Sequence, residues 1–384
     1  MATDLDAPLL RESLPSLPAR AYLDPLSHER ELRRIWRRHW ICAGRTEEIA
    51  NARDFLRFVI ADRGVLLLRD DQGEVRAYLD SCRHRGASLC ASERGRFTRA
   101  AIVCPYHAWS YDLQGRLLRT GSRHPPAGFD RDAHGLRALP VRDWSGFLFV
   151  CLDPDPPPFA ASFDQPLDRL DAWRLADCVS AHRTVLTIAC NWKVFWENYN
   201  ECLHCPGVHP ELSRLVPVYG RGLLEAADDR DGRRTGVDGG PAPGDGLRRG
   251  ARSWTTTGEP VGPEFPGLAE ADRRAGHVYM TAMPSLFVVG HVDYARAVRL
   301  RPLGPETTEL RVDYLFPRQT LAAPGFDPAP AIAFAERVLG EDAAICETNQ
   351  RGLRAAPDGQ GVLMPEEYLI RGFHDWLRAE GAID

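Results

Sequence analysis

The sequence predicts an α+β fold, and three observations predict it. Short β-type runs crowd the segment from Phe55 to Leu152, and more lie between Val278 and Leu315. Helix-periodic stretches stand apart from them, at about 26–40, 192–205 and 328–353. The run Asp153-Pro154-Asp155-Pro156-Pro157-Pro158 stops any regular element and divides the chain. The expected organisation is an N-terminal helical segment at 1–40 packing with the larger domain, a small all-β domain at 41–152, and that larger domain at 153–384.

In chain order, the first element is a helix from about Leu26 to Trp40, with Leu32, Ile35, Trp36 and Trp40 at helical spacing behind a possible Ser27 cap. Its other face carries Arg30, Arg33, Arg34, Arg37 and Arg38, read as a solvated face or a subunit contact. The β domain follows from Leu56-Ile60, Val65-Leu68, Val75-Leu79, Ile102-Val103 and Phe147-Val150, separated by turns such as Asp71-Gln72-Gly73 and Asp112-Leu113-Gln114-Gly115. Beyond the prolines come an extended stretch at Ser180-Ile188 and a helix across Trp192-Cys205. A Gly/Asp/Arg-rich segment at about 226–253 is too poor in apolar residues to pack, so a mobile loop is expected there. Four β-type runs (Val278-Met283, Leu286-Val289, Ala297-Leu300 and Glu309-Leu315) precede a long helix from about Pro328 to Leu353.

Composition excludes several classes. The 384 residues are 44% apolar and 26% charged, which fits a soluble globular protein of two or three domains. A net charge of -5 gives no reason to expect nucleic acid or an anionic membrane as partner. Lys193 is the only lysine, which we attribute to genome-wide composition bias. No apolar run spans a bilayer and the start MATDLDAPLL lacks the pattern of a signal peptide, so the expected location is the cytoplasm. In that reducing compartment the 10 cysteines are expected to be metal-bound, catalytic or buried rather than disulfide-paired.

Two constellations carry chemistry. Cys82-Arg83-His84 and Cys104-Pro105-Tyr106-His107 lie nineteen residues apart within the β domain, so two loops can pinch one metal centre. A cluster with two thiolates on one iron and two imidazoles on the other uses this donor set. Structural zinc also takes two Cys and two His, but usually as Cys-Cys then His-His, and the interleaved order disfavours it. The second constellation is Glu201-Cys202-Leu203-His204-Cys205-Pro206-Gly207-Val208-His209. On a helix Glu201 and His204 share a face, and Pro206-Gly207 turns the chain so that His209 returns beside His204. Two imidazoles and a carboxylate form the facial triad of non-haem Fe(II) sites. The carboxylate candidate is Asp342, an acid set among Val338, Leu339, Ile345 and Cys346, which is costly unless it is paired or metal-bound. A salt bridge to a buried arginine is the competing reading of Asp342. Glu341 and Glu347 read as solvated acids, and the Cys202/Cys205 pair as a packing feature.

With these motifs the chain resembles the Rieske-type non-haem iron oxygenases. Cys82-Arg83-His84-Arg85-Gly86-Ala87, Cys104-Pro105-Tyr106-His107-Ala108-Trp109 and the later Gly115-Arg116-Leu117 carry the first half of the resemblance. Glu201, His204, His209 and Asp342 carry the second half. Ala108 stands where that family usually has glycine. The resemblance implies an all-β domain holding a [2Fe-2S] cluster on Cys82, His84, Cys104 and His107. It implies a catalytic domain whose antiparallel sheet curves around the long C-terminal helix, with mononuclear Fe(II) on His204, His209 and Asp342. It also implies a homotrimer in which Glu201 links His107 of one chain to His204 of the next.

The activity implied is O2-dependent oxidation of a small molecule, with NAD(P)H electrons arriving through a separate flavin/iron-sulfur reductase. This chain has no dinucleotide-binding G-x-G-x-x-G after a strand. The phrase Glu197-Asn198-Tyr199-Asn200-Glu201-Cys202-Leu203-His204-Cys205-Pro206 is similar to the branch acting on glycine betaine, stachydrine, carnitine and choline. That points to oxidative N-demethylation or methyl hydroxylation of a quaternary amine, whose charge aromatic faces can hold. Candidate cage residues are Tyr199, Trp254, Tyr279, Phe287 and Tyr294. The alternatives are an aromatic-acid ring hydroxylase or O-demethylase of the same superfamily, and a Rieske electron-transfer protein without oxygenase activity.

Overall fold

The computed structural model describes residues 9–225 and 246–383. Most of the expected loop, 226–245, lies outside the described residues, and 246–253 follow without helix or strand. The chain divides into two compact units: residues 35–164 with 282–285, and residues 1–34, 165–281 and 286–384. Among the described residues no helix is long and apolar enough to cross a membrane.

The smaller unit is built of short antiparallel strands. One sheet runs, in spatial order, Ala138–Leu139, Val75–Leu79, Arg63–Arg69, Asp54–Ile60 and Arg94–Arg96. A second places Phe147–Val150 between Val141–Trp144 and Ile41–Arg45, and a third is Ile102–Val103, Ser110–Tyr111 and Leu117–Arg119. Val65, Leu66, Leu67 and Leu68 are all fully buried, a continuous apolar run that marks a strand covered on both faces. Leu66, Leu68, Tyr78, Ile102, Tyr111 and Leu117 pack into one core with Cys82 and Cys104.

The larger unit holds a five-stranded sheet in the order Cys178–Ile188, Thr307–Pro317, Ala295–Gly304, Leu286–His291 and His277–Ala282. The Ala329–Ala355 helix lies along its first strand: Thr184 donates to Glu336 at 2.6 Å, the Ala189 amide to Glu347 at 3.0 Å and the Asn191 amide to Gln350 at 2.9 Å. Glu347, expected to be solvated, is thus one of the helix's ties to that strand. A further helix, Tyr368–Ala379, buries Ile370, Phe373, His374 and Leu377.

Two expected helices are shorter than their periodicity suggests. The N-terminal one runs Pro25–Glu31, widens into a π-turn at Leu32–Trp36 and ends there. Asp24, not Ser27, is its cap, accepting from the Leu26 amide at 3.0 Å and from the Ser27 hydroxyl at 3.3 Å. Trp40 is drawn off the helix by its indole bond to the Pro157 carbonyl, 2.9 Å. Of the arginine face, Arg37 pairs with Asp62 at 2.8 Å and Arg38 lies 3.7 Å from Asp153. The second helix stops at Tyr199 instead of reaching Cys205. Its start is fixed by Asn191, which accepts from the Lys193 amide at 2.9 Å and donates to the carbonyls of Tyr22 and Pro305 at 3.1 and 2.6 Å.

The only lysine of the chain proves structural. Lys193 is fully buried, with its ammonium 2.5 Å from Glu31 and 2.9 Å from Asn191, while the Trp192 indole donates to the other Glu31 oxygen at 2.6 Å. The pair fastens the Pro25–Glu31 helix to the helix that leads into the second constellation.

Candidate metal centres and substrate site

In the smaller unit the two Cys-His loops are built alike. Each cysteine amide donates to the carbonyl five residues on, Cys82 to Ala87 at 2.8 Å and Cys104 to Trp109 at 2.7 Å. Each cysteine carbonyl accepts from the amide four residues on, Gly86 at 2.9 Å and Ala108 at 3.1 Å. That fourth residue is left-handed in both loops, with φ of 81° at Gly86 and 55° at Ala108. Glycine takes this conformation freely and alanine at a cost of roughly 1–2 kcal/mol, so Ala108 keeps the loop shape at some strain.

The loops set like with like. The two thiols are buried beside each other, and burial together with Cys104 pushes the Cys82 thiol up. The two imidazoles face outward with ring centroids 4.8 Å apart, His84 stacked on Trp109 at 4.9 Å. This donor set fits a cluster with two sulfur ligands on one iron and two nitrogen ligands on the other. The Tyr111 hydroxyl accepts from the Arg83 amide at 3.0 Å and lies 3.2 Å from the Cys82 sulfur, placed to donate to it. Buried Asp80 holds the first loop through Ser88 and the Leu89 amide, at 2.6 and 2.7 Å. Burial, then the Arg85 guanidinium 2.8 Å away, lowers the pKa of His107.

In the larger unit the second constellation lies on turns. Once the helix has ended at Tyr199, the Glu201 carboxylate accepts from the backbone amides of Leu203 and His204, an interaction that competes with helix and ends it. The same carboxylate accepts from His204 Nδ1 at 2.5 Å. The helical turn Cys205–Val208 then delivers His209, so sequence reasoning found the right neighbours by the wrong local geometry. Cys202 and Cys205 are joined as a disulfide, not merely packed, because the turn that bonds the Cys205 amide to the Cys202 carbonyl at 3.0 Å brings the sulfurs together.

The long helix supplies the third group. His204, His209 and Asp342 offer ligand atoms that all lie within 4.8 Å of one another. Both Nε2 atoms face Asp342 Oδ1, at 3.6 Å from His204 and 3.0 Å from His209. Asp342 also accepts from Asn198 at 2.7 Å. Glu341, expected to be a solvated acid, instead accepts from His209 Nδ1 at 2.7 Å. Each imidazole thus gives Nδ1–H to a glutamate and turns Nε2 towards the aspartate, an arrangement typical of metal-binding histidines. Two neutral nitrogens and one carboxylate suit Fe(II) and leave positions open. Burial opposes protonation of His204, yet hydrogen bonds to Asp342 and Glu201 outweigh it and push the pKa up to about 9. Asp342 is held well below the usual carboxylate range by both histidines, against its own burial.

The five cage candidates fall in one aromatic network, joined to this triad by Tyr279, which feels the Asp342 charge. Tyr199 stacks on Phe287 at 4.1 Å and meets Tyr279 edge-on at 5.9 Å, and Tyr279 meets Trp254 at 6.4 Å. Tyr294 is fully buried and gives its hydroxyl to the Trp254 carbonyl at 2.8 Å, so it positions Trp254 rather than presenting its own tip. Sequence reasoning missed Tyr219, His277 and Phe334, whose rings lie 6.2, 5.1 and 6.2 Å from Trp254. No local pattern marks them.

Residues 39–130 match the Rieske [2Fe-2S] domain family and residues 175–380 the catalytic domain of ring-hydroxylating alpha subunits. The chain is 31% identical to the glycine betaine monooxygenase oxygenase subunit of Chromohalobacter salexigens, over 98% of this chain and 88% of that one. It is 34% identical to the carnitine monooxygenase oxygenase subunit of Escherichia coli K12, over 53% of this chain and 54% of that one. Its fold is similar to the solved structure of a quaternary ammonium Rieske monooxygenase, with a TM-score of 0.74 at 21% identity, covering 98% of this chain and 96% of that one.

Proposed function

The chain belongs to the family of Rieske-type oxygenase alpha subunits, and from that premise we propose that it oxidises an N-methyl group of a quaternary ammonium compound. The family works with a [2Fe-2S] cluster, a non-haem iron, O2 and electrons supplied by a reductase. We assign Cys82, His84, Cys104 and His107 to the cluster and His204, His209 and Asp342 to the mononuclear iron. When bound, that iron activates O2 with electrons delivered through the cluster. NAD(P)H is the proposed electron source, through a separate flavin/iron-sulfur reductase, and the cytoplasm the proposed location.

The residues of this chain have their own tasks. Glu201 and Glu341 hold the two ligand imidazoles in the tautomer that leaves Nε2 free, and Asn198 steadies Asp342. Glu201 is also assigned to meet His107 of a neighbouring copy in a homotrimer. The aromatic network binds the substrate cation: a quaternary ammonium has no N–H to donate, so ring faces suit it better than hydrogen-bond acceptors do. One oxygen atom enters a methyl C–H bond and the other leaves as water, taking two electrons from NAD(P)H. The resulting N-hydroxymethyl group, where it is unstable, breaks its C–N bond to release formaldehyde, a proton and the tertiary amine.

The observation that carries this reading is the aromatic network of Tyr199, Tyr279, Trp254 and Phe287, linked to the triad by Asn198, which precedes Tyr199 and donates to Asp342, and by Tyr279, which feels the Asp342 charge. The test is O2 consumption by the holoenzyme with a reductase, across quaternary amines and aromatic acids. Stimulation by quaternary amines is expected; stimulation by aromatic acids alone would overturn the proposal in favour of ring hydroxylation or O-demethylation. About two irons per chain, with a cluster EPR signal and no mononuclear site, would instead indicate an electron carrier.

A further inference from the structure

The larger unit buries one cation that its own described residues do not satisfy. Arg296 is 5% exposed, and its Nε and Nη1 atoms are buried without a hydrogen-bond partner. A guanidinium carries five N–H donors and no acceptor, and leaving such a group buried and unpaired is costly. Four acids of the same unit are committed to other partners. Asp313 is held by Arg183 and Arg299, Asp293 by Ser253 and the amides of Val261 and Gly262, Glu336 by Thr184, and Asp342 by the triad.

Register shows where Arg296 points. In the antiparallel pair, Phe287 stands opposite Val298 and Val289 opposite Arg296, so Phe287, Val289 and Arg296 share one face of the sheet. That is the face on which Phe287 stacks against Tyr199. His291 continues it, its ring 5.2 Å from Trp254 and 4.3 Å from Tyr294. The Trp254 indole N–H is a second buried donor without a partner. Electrostatics agree: the Tyr279 hydroxyl, pushed up by burial, feels Arg296 in one direction and Asp342 in the other. His291 is kept neutral by burial and by Arg296, which leaves the guanidinium as the cation on this side.

We propose that Arg296, with the Trp254 indole N–H, forms an anion subsite on the aromatic cage, and that it takes the carboxylate of a zwitterionic substrate. The inference rests on the cage reading above and narrows it. The preferred substrate is a betaine, whose ammonium lies on the rings with a methyl group towards the triad and whose carboxylate meets Arg296. A cationic alcohol such as choline fills only half of this site.

The test is calorimetric titration of the holoenzyme, in wild-type, R296Q and R296K forms, with glycine betaine, its methyl ester, choline and benzoate. Charge-assisted hydrogen bonds of about 1.5–3 kcal/mol correspond to roughly 10- to 150-fold in affinity. Wild type is expected to bind glycine betaine tighter than the ester or choline by a factor in that range. R296Q should erase the gap and R296K retain part of it. Equal affinity of wild type for the acid and its ester overturns the proposal and needs no variant, so a folding defect in R296Q cannot hide the answer. A gap that survives in R296Q overturns it equally. Binding of benzoate but not of glycine betaine, lost in R296Q, would keep the anion subsite while removing the quaternary-amine reading.

Discussion

Replacing Glu341 asks whether the carboxylate seen on His209 serves the metal. Glu341 accepts from Nδ1 at 2.7 Å while Nε2 of the same ring faces Asp342 at 3.0 Å, so the glutamate fixes both tautomer and ring orientation. Losing such an outer partner typically lowers metal affinity about 10- to 100-fold. The Glu341 side chain is 27% exposed, so water screens part of its charge and E341A should fall near the lower end, roughly 10-fold. E341Q retains an acceptor for Nδ1–H but no charge, and should lose less. Glu201 is 11% exposed, sits 2.5 Å from His204 and also accepts from two backbone amides, so E201A should approach roughly 100-fold. The assay is anaerobic Fe(II) titration of protein freed of its mononuclear iron, with cluster absorbance as the control for an intact second centre. Wild-type Fe(II) affinity in E341A, or a larger loss in E341Q than in E341A, would show that Glu341 does not hold the His209 ring for the metal.

Further expectations concern stability, potential and binding. In protein without mononuclear iron, His204 has a folded pKa of about 9, above its usual 6.5. Its contribution, roughly 3 kcal/mol, is therefore complete below pH 6.5 and lost as pH rises through 9. Thermal melts of that form should drop between pH 6.5 and 9.5, and the drop should shrink in H204N; an unchanged drop would exclude His204 as its source. Lys193→Ala leaves the buried Glu31 carboxylate without its counter-charge, with only the Trp192 indole bond of the two, and should cost about 3–5 kcal/mol in denaturant unfolding. The double variant K193M/E31L should cost clearly less. Tyr111→Phe removes the hydroxyl beside the Cys82 sulfur and should lower the cluster potential in a spectroscopic redox titration. Tyr279→Leu removes one ring of the cage and should weaken quaternary-amine binding about 3- to 30-fold by calorimetry.

What the sequence disclosed and what it hid follow from the range of the interactions. The two Cys-His motifs and the His204, His209 and Asp342 set are written in short spacings and in one acid placed among apolar residues. The smaller unit's strands were legible because runs such as Val65-Leu68 are apolar throughout. Periodicity alone carries the helix to Cys205, because it cannot register that the Glu201 side chain bonds its own downstream amides. Glu341 has its partner 132 residues away and Lys193 has Glu31 162 residues away, so no local pattern distinguishes either from a solvated acid or a composition bias. Tyr219 and His277 meet Trp254, and Arg296 shares a sheet face with Phe287, through tertiary packing and sheet register, which no local pattern records.

A single-turnover experiment tests the two iron centres and the quaternary-amine substrate together. Holoenzyme is reduced anaerobically, freed of excess reductant, mixed with glycine betaine and exposed to O2 without a reductase. Formaldehyde in proportion to enzyme and oxidation of the cluster are expected in the same turnover, both abolished in D342A. Cluster oxidation without formaldehyde from any quaternary amine, or formaldehyde that persists in D342A, would contradict it.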